Sequence, residues 1–149
     1  MTSLFHPPDC EALRRRFAEL RPDGPRLWGR MDAAQMLAHC GHSFEAAMTE
    51  RPVKQAFLGR VVAPLVRPVV LGDRPFRKNV PTSPAFTVAD ARDFDAELRR
   101  LAHLIDRFIQ RGPERAGRVP HVFFGRLTGE QWGRLMYKHL DHHLRQFGV

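Results

Sequence analysis

Cysteine is scarce in this chain. Cys10 and Cys40 are its only two cysteines, too few for a disulfide framework, and their spacing excludes a Cys-x-x-Cys motif. Long apolar runs are also missing. The most apolar stretch, Val61 to Leu71, is cut by Pro64, Arg67 and Pro68. It falls far short of the ~20 residues that span a bilayer, so no membrane partner is expected. Met1 to Pro8 lack the basic and apolar blocks of a secretory signal, and a cytoplasmic protein is the expectation. Strand-type alternation, internal repeats and low-complexity tails are hard to find, which argues against sheet folds and solenoids. Lysine is restricted to Lys54, Lys78 and Lys138. The net charge of +8 is therefore an arginine charge, and the arginines are scattered along the chain. Without a basic block or an aromatic-basic platform, no specific nucleic-acid partner is expected.

What is present describes one ordinary globular domain over 1–149, with 43% hydrophobic and 27% charged residues. Four segments carry helical periodicity. The first is expected over Asp9–Leu20, with Asp9 as N-cap after Pro7-Pro8. The second begins at Asp32, where Gln35 completes a capping box flanked by Met31 and Met36, and runs to about Thr49, before Pro52. The third is expected from Thr87, with Asp90 in its first turn. Its core stripe is Phe94, Leu98, Leu101, Ile105 and Phe108, and Gly112-Pro113 ends it. The fourth begins at Thr128 with a second capping box, Thr128/Gln131, stapled by Leu127 and Trp132, and continues to Gln146. Between the second and third lies a long connection, 50–87, in which Val53–Val62 suits a short helix and 72–86 reads as an irregular loop. Gly and Pro cluster there and again over 112–125. The expected fold is all-α, a four-helix bundle with a long crossover between its second and third main helices.

Histidine is the informative residue type, with eight copies. His139 and His143 stand four apart on the last helix, on the face that also carries Trp132, Leu135, Met136 and Gln146. Arg134, Lys138, Asp141 and Arg145 fall on the other side, where solvent is expected to hydrate them. Two imidazoles one turn apart within an apolar stripe can converge on one metal ion. Leu140 stands where an HExxH protease has its Glu, which excludes that chemistry. A third ligand must come from a facing helix, and His39 is the best placed. Three neutral imidazoles suit Zn, Ni or Fe(II) and leave a position for water or substrate. His6, His103 and His142 read as surface residues, and Cys40 as a small buried hydrophobe.

Two segments carry a resemblance. Asp32 to Cys40 and Trp132 to Gln146 are similar to the DinB-like metal-binding superfamily. The similarity is closest to a subfamily of uncharacterised bacterial proteins with FFG-LT-EQW and YKHLDHHLRQFG patterns. Here these are Phe123-Phe124-Gly125, Leu127-Thr128, Glu130-Gln131-Trp132 and the last helix through Gly148. Leu71 to Phe76 and Asn79 to Phe86 also resemble that subfamily's loop. One departure is Val122 after His121, where the subfamily often has Pro. The resemblance implies up-down-down-up topology and a divalent metal held by His39, His139 and His143. Its characterised relatives include thiol-dependent S-transferases and an isomerase.

Two functions follow as expectations. The first is a metal-dependent enzyme of transferase or hydrolase type acting on a small molecule, in which a low-molecular-weight thiol is a candidate cofactor. Arg74, Arg77, Lys78, Asn79 and His121 would line the mouth of the site from the two loops. The second is a non-catalytic bundle with a structural metal or histidine cluster. A homodimer fits either.

Overall fold

The computed structural model describes residues 1–51, 53–80 and 84–149. It is all-helical, with five α-helices and no strand among the described residues. They are α1 (Pro7–Glu19), α2 (Ala33–Ala47), α3 (Phe57–Val70), α4 (Phe94–Ala116) and α5 (Gly129–Gln146). A single 3-10 turn, Pro84–Phe86, precedes α4. Helix α2 packs along α4, both meet α5, and α1 lies on α5.

The capping boxes form as their sequences dictate. Asp32 accepts from Gln35 N at 2.8 Å while Gln35 Oε1 accepts from Asp32 N at 3.0 Å. Thr128 and Gln131 make the same reciprocal pair at the start of α5. Helix α1 instead starts two residues before the expected cap. Pro7 and Pro8 have the backbone angle that its first turn needs, and Asp9 instead accepts from Ser3 N at 2.9 Å.

Helix α4 starts at Phe94 rather than Thr87. Asp93 is the N-cap, accepting from Ala96 N at 2.7 Å. The segment before it is held off the helix because its carbonyls have other partners. Phe86 O lies 2.8 Å from His39 Nδ1, and Asp90 O accepts from Gln35 Nε2 at 3.2 Å. The helical path breaks at Gly112 (φ 72°, ψ 169°), and Pro113 begins a last, redirected turn. The α4 stripe is centred on Leu101, Leu104 and Phe108, which are buried, while Phe94, Leu98 and Ile105 flank them half-buried.

The connection 50–87 is more helical than its prolines suggest. Helix α3 passes through both Pro64 and Pro68 to Val70, and both prolines are exposed, where water can reach the carbonyls that lose their N–H partners. Of the loop expected over 72–86, residues 81–83 lie outside the described part, as does Pro52.

The core is built from Leu37, Phe44, Leu101, Phe108, Leu140 and Leu144, with the Phe44 and Phe108 rings edge to face at 5.5 Å. Cys40 is fully buried among them, and burial pushes its thiol well up. No described helix is long and apolar enough to cross a membrane.

The far side of α5 is also covered, against expectation. Lys138 is buried, and its ammonium donates to Val70 O at 2.5 Å and Gly72 O at 2.6 Å. It thereby caps the carboxyl end of α3. Arg134 pairs with Asp73. Asp141 pairs with Arg16 of α1 at 2.7 Å and with Arg145 at 2.9 Å. Only Arg145 of the four expected surface residues is exposed. Helical periodicity marks a side of α5 but not what later covers it.

Candidate metal centre

Helix α2 carries His39 into the helical core, and α5 brings His139 and His143 to meet it one turn apart. One ligand atom from each of the three lies within 4.8 Å of the others. His39 Nε2 and His139 Nε2 are 3.0 Å apart. The three rings pack edge to face, with centroids between 4.8 and 5.0 Å. No other group of three such side chains converges among the described residues.

All three imidazoles are held neutral. Burial lowers His39, lowers His143 to about 3, and drives His139 well below the usual histidine range. The neighbouring histidines add to the effect at His139. Neutral imidazole is the form that coordinates a metal.

Two of the three tautomers are set by outer partners. Phe86 O can only accept, so His39 Nδ1 carries the proton and its Nε2 presents a lone pair. Gln146 does the same for His143. Its Nε2 donates to Trp28 O at 2.8 Å, which turns Oε1 toward His143 Nδ1, also at 2.8 Å. His143 Nε2 is then free to coordinate. This use of the far ring nitrogen is the usual outer layer of a histidine metal site. Gly29 makes room for the Gln146 amide. Its φ is 78°, and a Cβ there would sit 2.4 Å from Gln146 Nε2.

Among the described residues, His139 has no such partner. With a lone pair on His39 Nε2, the 3.0 Å contact needs a proton on His139 Nε2. Among the described residues, His139 Nδ1 is then a buried acceptor with nothing to accept from. Leaving a buried polar atom unpaired costs about 1–3 kcal/mol. A divalent cation among the three rings would replace the Nε2–Nε2 contact, and one held by His139 Nδ1 would also give that orphaned atom a partner. The donor set fits such an ion.

The rest of the expected site is more dispersed. Arg74, Arg77, Lys78 and Asn79 are exposed on the segment after α3. Lys78 Nζ stands 4.5 Å over the Trp28 ring, and Asn79 takes a left-handed φ of 56°. His121 is half-buried in the turn 121–125. Its Nδ1 accepts from Phe123 N at 3.0 Å and Phe124 N at 3.1 Å, and its ring lies against Trp132. Backbone bonds between His121 and Gly125 close that turn with Val122 at its second position.

His142 is not the surface residue its sequence suggests. It is half-buried between Trp28 and Phe76, at 5.6 and 5.9 Å, and meets the His143 ring at 5.1 Å. Burial lowers its pKa. Trp28 and Phe76 come from two Gly/Pro-rich loops, whose aromatics were the available signal. Gln146 shares the histidine face in sequence, but no spacing rule reveals that it orients His143.

A family described as "Protein of unknown function (DUF1569)", within the DinB-like clan, matches residues 3–148. Neither a curated protein nor a solved structure matches the chain.

Proposed function

This chain belongs to the DUF1569 family of proteins of unknown function, and from that premise we propose that it is a divalent-metal protein acting as a thiol-dependent transferase or a hydrolase. His39, His139 and His143 are the ligands, for Zn, Ni or Fe(II). The observation that carries this reading is the triad itself. Three neutral imidazoles converge from two helices, two of them with tautomers set for coordination and the third with an orphaned nitrogen. The likeness to the YKHLDHHLRQFG subfamily, with its up-down-down-up bundle, supports the same three ligands. When bound, such an ion lowers the pKa of water or thiol at its remaining position.

The chain's own residues have separable tasks in this reading. Gln146 and the Phe86 carbonyl orient two ligands. His142, which packs on His143 and is itself flanked by Trp28 and Phe76, walls one side of the triad and restricts water there. Arg74, Arg77, Lys78 and Asn79, with His121 from the second loop, supply positive charge and hydrogen bonds for a small anionic substrate or thiol. A cytoplasmic setting, rich in such thiols, suits this chemistry.

Burial of His39 and His143 favours a second reading, a structural metal in a non-catalytic bundle. Metal analysis of protein purified without a histidine tag tests the shared premise. About one equivalent of metal is expected, lost in His139→Ala. A metal-free protein that binds neither Zn nor Ni would refute it. Spectroscopy of the Co(II) form then separates the two readings. An added thiol perturbs an open site and leaves a closed one unchanged.

A further inference from the structure

Helix α3 is inside out. Its small residues Gly59 and Ala63 face the bundle and are buried. A Cβ on Gly59 would lie 2.3 Å from Phe123 O, so the helix backbone rests directly on the 121–125 turn. Polar groups fasten the same side. Ala56 N donates to Val122 O at 2.8 Å, Gln55 Nε2 to Phe123 O at 2.8 Å, and Arg67 to Gln131 Oε1 at 2.6 Å. The large apolar side chains point away. Phe57 is 82% and Leu65 79% exposed, with Leu58, Val61 and Val69 above 60%. At ~100° per residue these five fall on one arc of the helix.

The charge around this arc has one sign. Residues 51–88 contain seven of the chain's 24 Lys and Arg but one of its 16 Asp and Glu. That acid, Asp73, is already paired with Arg134. Arg51 and Lys54 precede the helix, Arg60 is exposed on its flank, and Arg74, Arg77 and Lys78 follow it. Two copies joined through α3 would set cations against cations with no acid to pair them.

We infer that α3 docks in the plane of an anionic lipid bilayer, with Phe57, Leu58, Val61, Leu65 and Val69 entering the headgroup–acyl boundary and Arg51, Lys54 and Arg60 meeting lipid phosphates. An apolar arc bordered by Arg and Lys is the composition of an interfacial helix, and neither part alone binds strongly. This surface contact is distinct from the spanning segment that the sequence excludes.

Cosedimentation of the full chain with vesicles tests the inference. Binding is expected to phosphatidylcholine mixed with phosphatidylglycerol, and at least about tenfold weaker binding to phosphatidylcholine alone or at high salt. The variant Leu58→Glu/Leu65→Glu should bind the mixed vesicles at least about tenfold less. Its thermal midpoint should be unchanged, because both side chains are already in water. Failure to bind mixed vesicles, or equal binding by the variant, overturns the inference. So does a wild-type dimer in sedimentation velocity that the variant converts to monomer, since a second copy would then be the occupant.

Discussion

Gln146 joins two parts of the chain through the two ends of one amide, His143 on one side and Trp28 on the other. Gln146→Leu keeps the size and apolar fit but leaves the His143 ring unoriented. Metal affinity should fall about 10–100-fold while the helical circular dichroism is retained, which competition with a chromophoric chelator measures. His121 supports a different prediction. Burial lowers its pKa to about 4, against 6.5 in the unfolded chain. The folded state therefore resists a proton that the unfolded state accepts. Its contribution to stability is complete above 6.5 and is lost as pH falls from 6.5 through 4. Urea denaturation across that window should show a loss that His121→Asn reduces, because Asn can accept from the same two amides and takes up no proton.

Among the helices, α3 depends on two contacts that ordinary propensity rules would misjudge. Gly59→Ala normally favours a helix by about 0.5–1 kcal/mol. Here the added carbon meets Phe123 O at 2.3 Å, so a net loss of about 1–3 kcal/mol is expected in chemical denaturation. Lys138→Met leaves Val70 O and Gly72 O without their donor, with a loss of about 1–3 kcal/mol. These elements also show what sequence could reveal. Asp32/Gln35 and Thr128/Gln131 are local signals, each complete within four residues, and both helices begin where those signals place them. Pro64 and Pro68 misled because the backbone bonds a proline removes can be replaced by water where it lies exposed, as both do here, and exposure is not local information. Asp93 prevailed over Thr87 as a cap through contacts made from another helix, by His39 and Gln35.

At the scale of the whole molecule, a metal held by the triad would be coupled to folding, since α2 and α5 bring its histidines together from positions 100 residues apart. Any ion bound only by the folded state raises stability, by about 2.7 kcal/mol at a hundred times its dissociation constant. Thermal melts should therefore rise with added Zn and fall back with chelator, and His139→Ala should respond to neither. The triad was legible because an i, i+4 pair in an apolar stripe is itself unusual and calls for a third partner. The aromatic wall of Trp28, Phe76 and His142 was not, because three distant segments assemble it.

Cys40 lies next to His39 in sequence yet is sealed in the core. Cys10 donates its proton to Leu4 O at 2.8 Å, and burial raises its pKa. The protein thus has no ready thiolate of its own. In any sulfur transfer at the triad, the attacking sulfur would have to arrive with a diffusible molecule. Alkylating reagents that silence cysteine enzymes should leave such an activity intact once excess reagent is removed.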